Sequence, residues 1–309
     1  MSRSRFFAIY VVMALESGCA PSPGGAPAKS ANATPGVESA QSKSATLPAA
    51  PADAIRQRPE WREHFASEHV AGTIALFDSA DGSLSCSDVV LCKKPTIPAS
   101  TFKIANSMIG LETGVVQDAE TKLPWDGKNY TVPEWNQNNT LRTAVQFSCV
   151  PCFQAIARNV GEQRMAEWLN KLDYGNQDMS GGVDRFWLMG GLRISPLQQI
   201  DFLRRFEGGK LPISVRTSET VRDLITLDVG QGYTLFGKTG SAIPPEEPEF
   251  AMWFVGWLEL GARKVFFATL INKHDEGVDP KPTRRRVTER VLRALNLLPA
   301  DATRAPTDR

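Results

Sequence analysis

The chain has 309 residues, 22% of them charged and 42% hydrophobic, with a formal net charge of +1. This is the balance of a globular protein with one large domain or two small subdomains. It excludes nucleic-acid binding driven by bulk positive charge, since the only basic run is Arg284-Arg285-Arg286.

The N-terminus reads as an export signal over residues 1–20. Arg3 and Arg5 precede an apolar run from Phe6 to Leu15, and small residues follow at Ser17, Gly18, Cys19 and Ala20. The run is too short to span a bilayer. Two endings stay open. Cys19 is a candidate lipidation site that would tether the protein to a membrane, although Glu16 stands where an apolar residue is expected. Cleavage after Ala20 suits the small residues but is followed by Pro21. Residues 21–53 are mostly Ala, Pro, Ser and Gly and are expected to form a disordered linker, because they bury too little apolar surface to offset ordering. Residues 54–300 are expected to fold, and 301–309 to form a disordered tail. Export implies a periplasmic location.

Within the folded part, Pro59 to Phe65 predicts a short helix. Val70 to Phe77 and Ser83 to Val90 predict a hairpin turned at Asp81-Gly82. Thr101 to Gly114 is helical and ends on glycine. An irregular stretch with Trp125 and Trp135 follows. Helical periodicity returns from Arg142 to Leu172 and again from Ser195, a natural N-cap, to Phe206. Thr217 to Leu227 predicts one more helix. Strands are expected over Tyr233 to Ser241, Phe250 to Leu258 and Lys264 to Asn272. Val287, Val291, Leu292 and Leu295 are spaced for a closing amphipathic helix. Strands, then helices, then strands and a helix imply an α+β fold: an antiparallel sheet flanked by helices, with an all-helical subdomain inserted.

Beyond Cys19, the cysteines are Cys86, Cys92, Cys149 and Cys152, which allow three pairings in an oxidising compartment. Cys86 with Cys92 is the expected pair, closing a small loop after the hairpin. Cys149-Val150-Pro151-Cys152 has C-x-x-C spacing without a thioredoxin-like strand before it, and reads as two thiols packed on a helix. No metal is expected, as His64, His69 and His274 lack ligand spacing.

The chemistry centres on Pro98-Ala99-Ser100-Thr101-Phe102-Lys103. Serine and lysine three apart at a helix start share one face, beside free backbone N–H groups. That arrangement activates an alcohol and receives an oxyanion. Phe147-Ser148-Cys149-Val150, opening a helix, adds a second hydroxyl. Gly237-Lys238-Thr239-Gly240 on a strand adds an ammonium, and its glycine leaves room for a substrate along the strand. Tyr174-Gly175-Asn176 forms a loop between helices.

Taken together and in this order, these motifs resemble the penicillin-recognising serine enzymes, and within them the class D (oxacillinase-type) β-lactamases. The resemblance runs from about Trp61 to Leu298 and extends through Phe186-Trp187-Leu188, Leu192-Arg193-Ile194-Ser195 and Trp253-Phe254-Val255-Gly256-Trp257. Valine at 150, where related classes carry asparagine, and the Tyr-Gly-Asn loop mark class D.

The resemblance implies a hydrolase acting on β-lactam antibiotics, as monomer or homodimer, and so antibiotic resistance. Ser100 would be the nucleophile. Lys103, its charge disfavoured by Phe102, Val150, Trp187 and Leu188, would take up CO2 from bicarbonate and act as a carbamate base. Trp187, which alone reads as a core aromatic, would hydrogen-bond that carbamate. Ser148 would relay a proton to the lactam nitrogen, tuned by Lys238. The backbone of Ser100 and Ser241 would form the oxyanion hole, beside Gly240. Thr239 and Arg284 would hold the substrate carboxylate, with Arg285 and Arg286 as neighbouring alternatives. Tyr174-Gly175-Asn176 would support the site, and Cys149 would face away from the cleft. The Pro-rich acidic stretch from Ser241 to Pro248 departs from the family pattern. The alternatives are a β-lactam sensor or penicillin-binding module that acylates without turnover, and a cell-wall transpeptidase.

Overall fold

The computed structural model describes residues 55–242 and 250–299. The leader, Cys19, the linker, the tail and the Pro-rich stretch after Ala242 lie outside the described residues.

The sheet is built from both ends of the folded chain. From the N-terminal side come β1 (Ile55–Gln57), β2 (Val70–Asp78) and β3 (Ser83–Cys86), with the short helix α1 (Arg62–Ala66) between β1 and β2. From the C-terminal side come β6 (Thr226–Gly230), β7 (Tyr233–Ala242), β8 (Ala251–Leu260) and β9 (Arg263–His274), closed by α9 (Pro280–Ala294). The strand order is β1-β3-β2-β9-β8-β7-β6. Every pairing is antiparallel except that of β1 with β3, which is parallel.

The middle of the chain forms the helical region: α2 (Val89–Lys93), α3 (Lys103–Glu112), α4 (Leu141–Gln146), α5 (Val150–Val160), α6 (Glu162–Leu172), α7 (Pro196–Glu207) and α8 (Val215–Leu224). A two-stranded ribbon, β4 (Lys122–Leu123) with β5 (Asn139–Thr140), lies in the stretch expected to be irregular.

Side-chain alternation splits the sheet between two cores. Trp253, Val255 and Trp257 of β8 and Phe266, Ala268 and Leu270 of β9 pack into the larger core under the helical region. Met252, Phe254 and Leu258, with Val265, Phe267 and Ile271, face the smaller core, sealed by Trp61, Phe65, Val287, Val291 and Leu292. These strands are buried on both faces, which is why they read as continuous apolar runs.

Several boundaries differ from the sequence expectation. The strand expected over Ser83 to Val90 stops at Cys86. Asp88 then caps α2, its side chain accepting the Leu91 N–H at 3.0 Å. A local carboxylate cap outcompetes the β-branched Val89-Val90 pair. The helix expected to reach Leu227 ends at Leu224, and β6 begins two residues later. Neither β1 nor β6 carries a strong apolar alternation, and both lie at sheet edges.

The cysteine expectation is overturned. The disulfide joins Cys149 to Cys152, whereas Cys86 and Cys92 are free, buried thiols. Cys92 Sγ lies 3.2 Å from Thr73 Oγ1, in a polar cluster between β2 and α2. Cys149 and Cys152 fall at the first turn of α5, which brings their Cα atoms to 5.4 Å, within ordinary bridging range.

Candidate active site

Ser100 sits on a 3-10 turn, Ala99–Phe102, that runs directly into α3. The turn is held on three sides. Ala99 N–H donates to Trp187 O at 3.0 Å, and the Trp253 indole N–H of β8 donates to Ile97 O at 2.8 Å. Gln199 of α7 donates to Thr101 Oγ1 at 2.9 Å. Ala99 itself adopts φ +50, a left-handed conformation that a non-glycine residue keeps only when its surroundings hold it.

Lys103, at the first turn of α3, reaches back so that its Nζ lies 2.7 Å from Ser100 Oγ. The side chain is 1% exposed, and its Nζ stands 5.3 Å from the centre of the Phe153 ring. Burial, followed by repulsion from Lys238, pushes the amine well below the ordinary lysine range. The Lys103 amine donates to Ser100 Oγ in this 2.7 Å contact, and the environment that disfavours its charge favours the form whose lone pair could accept the hydroxyl proton instead.

Ser148 lies between α4 and α5 at φ +51. Its Oγ accepts from Lys238 Nζ at 3.2 Å, and Lys238 also donates to Thr239 O at 3.1 Å. Lys238 on β7 is buried, and desolvation together with the Arg284 guanidinium lowers its amine to about 7. Among the described residues no carboxylate hydrogen-bonds either lysine.

The three consecutive arginines are sorted by α9. Arg284 is 8% exposed, and its Nη1 donates to Gly240 O at 2.8 Å and to Ser241 Oγ at 2.6 Å. Arg285 turns to Glu289 at 2.7 Å, and Arg286 to Glu68 at 2.8 Å. Arg284 is therefore the arginine that borders the Lys238-Thr239-Gly240-Ser241 strand. Glycine suits position 240, since a Cβ there would stand 2.9 Å from Pro98 O and 3.1 Å from Thr101 N and would force the backbone to shift. This close approach lays β7 against the serine turn.

Trp187 is fully buried against Phe102, with ring centres 5.3 Å apart, and its Nε1 has no hydrogen-bond partner. Leu188 is half-buried against the same core, and Val150 is half-buried at the first position of α5. Tyr174 is buried against Phe102, and Gly175, at φ +58, passes so close to Arg193 O that a Cβ would clash at 2.2 Å. Asn176 brackets Arg193, accepting its N–H at 2.8 Å and donating its own to Arg193 O at 2.9 Å. Ile194 in turn bridges to Thr96, so the Tyr-Gly-Asn loop braces the segment that leads to Ser100. Cys149 is buried, as N-cap of α5.

Sequence reasoning missed Phe153 and Gln199. Both lie on amphipathic helices, where a buried position looks the same whether it meets core or site.

A penicillin binding protein transpeptidase domain model matches residues 83–295. Beta-lactamase OXA-10 of Pseudomonas aeruginosa is 37% identical over 248 residues, covering 80% of this chain and 92% of the relative. The chain belongs to the class D serine β-lactamases. Beta-lactamase OXA-48 of Klebsiella pneumoniae is 36% identical, covering 79% of this chain and 91% of that one. Among solved structures, the class D β-lactamase FUS-1 (OXA-85) of Fusobacterium nucleatum superposes with a TM-score of 0.75 at 31% identity, covering 79% of this chain and all of that one. The class D enzyme YbXI from Nostoc does so with a TM-score of 0.73 at 37% identity, over 77% and 99%. In this class D β-lactamase, the serine, both lysines, the second serine and one arginine meet along the junction of sheet and helical region, with two amines whose charge burial disfavours.

Proposed function

We propose that this β-lactamase opens β-lactam rings through an acyl-enzyme on Ser100, and that Lys103 is the base for both halves of the reaction. The observation that carries this reading is the 2.7 Å contact between Ser100 Oγ and a fully buried lysine whose charge its surroundings disfavour. Loss of the hydroxyl proton to the Lys103 end frees Ser100 Oγ to attack the lactam carbonyl. The oxyanion forms beside the backbone N–H groups of Ser100 and Ser241. As the C–N bond breaks, the leaving nitrogen takes a proton from Ser148 Oγ, replenished from Lys238 Nζ at 3.2 Å. Arg284 and Thr239 would bind the substrate carboxylate, for which a guanidinium fork is suited; the contacts of Arg284 with Gly240 O and Ser241 Oγ, beside Thr239, support this reading.

A carbamate on Lys103 fits the residues present. A neutral amine is the form that reacts with CO2, and the buried Trp187 Nε1–H lacks an acceptor. When present, the carbamate would supply an anionic base in place of the amine. The leader supports export to the periplasm, where such hydrolysis would protect the cell from β-lactam antibiotics.

The test is a time course with a chromogenic cephalosporin, using the full chain with and without bicarbonate. Many turnovers per enzyme, faster with bicarbonate, are expected. A single stoichiometric burst would show acylation without hydrolysis and overturn the reading.

A further inference from the structure

Ser148 is the middle of three residues between α4 and α5, flanked by the C-cap Phe147 and the N-cap Cys149. Toward α4, Phe147 N–H donates to Thr143 O at 2.8 Å, and Cys149 N–H reaches back across Ser148 to Ala144 O at 2.9 Å. Its backbone sits at φ +51, the left-handed position that closes α4, with Ser148 N–H donating to Val145 O at 3.2 Å; these bonds hold the α4 side of Ser148, and the segment after it must be held separately.

That segment is held by a covalent bond. Cys149 is the N-cap of α5 and Cys152 its third residue, so the disulfide links the two positions that a capping box joins by hydrogen bonds. The same spacing is closed by reciprocal hydrogen bonds in α4, through Thr140 and Thr143, and in α7, through Ser195 and Gln198. At α5 the capping group is sulfur, a weak acceptor, 3.3 Å from Cys152 N. The cross-link supplies the rigidity that a weak cap cannot.

A bridge between residues three apart constrains the unfolded chain only slightly, so its effect on global stability is small. Its effect on local geometry is direct, because Cys149 follows Ser148 and the bridge encloses Val150.

We propose that the Cys149–Cys152 disulfide is a positioning element for the reaction: it holds the first turn of α5 directly after the left-handed Ser148 and thereby keeps Ser148 Oγ against Lys238 Nζ. The proposal rests on the reading of Ser148 as the proton relay. Misplacing a reacting group by about 1 Å costs up to ~100-fold in rate, so breaking the bridge is expected to slow acylation by about tenfold or more.

The experiment measures single-turnover acylation by a chromogenic cephalosporin in four proteins: wild type, Cys149→Ala/Cys152→Ala, Ser148→Ala, and the three changes combined. Loss of the bridge is expected to slow acylation about tenfold when Ser148 is present and less than about twofold when it is absent, since coupled groups are not additive. An equal loss in both backgrounds, or no loss in either, would overturn the proposal. Loss in Ser148→Ala with none in the cysteine variant would overturn the positioning role and leave the relay standing. No loss in Ser148→Ala would overturn the relay, and the proposal with it. Should the cysteine variant fail to fold, the wild-type protein is assayed after dithiothreitol treatment, with peptide mapping to show that Cys149 and Cys152 are reduced. The rate should then fall and recover on reoxidation, and an unchanged rate would refute the proposal.

Discussion

Replacing Lys238 with methionine should make the protein more stable at neutral pH while impairing acylation. The amine is buried and lowered from 10.5 to about 7, so between those values the unfolded chain holds a proton that the folded chain has released. Protons bound preferentially to the unfolded state favour unfolding, so this lysine costs the folded state about 4 kcal/mol at pH 7. Against that stand its hydrogen bonds to Ser148 Oγ at 3.2 Å and Thr239 O at 3.1 Å. Each contributes about 1 kcal/mol net. Methionine fills similar volume without the charge, which leaves a gain of roughly 2 kcal/mol, or about 4–8 °C in Tm for a domain of this size. As pH rises toward 10 the unfolded lysine also loses its proton, and the cost shrinks to about 1 kcal/mol. The advantage of methionine should then vanish. Urea unfolding followed by tryptophan fluorescence at pH 7 and pH 10 reads both quantities. A variant less stable than wild type at pH 7, or a difference unchanged by pH, would refute the claim that desolvation of Lys238 is a stored cost.

Other substitutions test the remaining geometry. Gly240→Ala should cost about 1–3 kcal/mol of stability and slow acylation, because both close contacts are backbone atoms of the serine turn; thermal unfolding and burst kinetics measure this, and an unaffected enzyme would mean that β7 is not seated there. Arg284→Ala should lower kcat/KM by about 10- to 100-fold, the worth of a charged hydrogen bond to the substrate carboxylate, whereas Arg285→Ala should change it little. Trp187→Phe keeps the ring packing against Phe102 and removes the indole N–H. It should raise the bicarbonate concentration needed for half-maximal turnover by about tenfold, the equivalent of one lost hydrogen bond, and an unshifted bicarbonate dependence would disconnect Trp187 from the base.

The sequence by itself determined the family and the order of most of the elements. Serine and lysine three apart at a helix start must share a face, because helical geometry places them there whatever surrounds the helix. Strongly apolar runs such as Trp253 to Leu258 declare themselves as strands because both faces are buried. Ser195 with Gln198 marks a helix start by local hydrogen bonding alone. Only the tertiary structure decided what depends on distant neighbours. Three adjacent arginines have the same local pattern; Arg284 is distinguished by Gly240 and Ser241, which lie more than forty residues away on β7. The strand β1 has no apolar signature of its own and exists because β3 offers an edge to pair with. Cysteine pairing likewise depends on backbone direction. Cys149 and Cys152 meet because the first turn of α5 brings positions three apart together, while Cys86 and Cys92 are free thiols, with Cys92 Sγ beside Thr73 Oγ1. The low charge tolerance of Lys103 and Lys238 follows from depth of burial, which no spacing rule can measure.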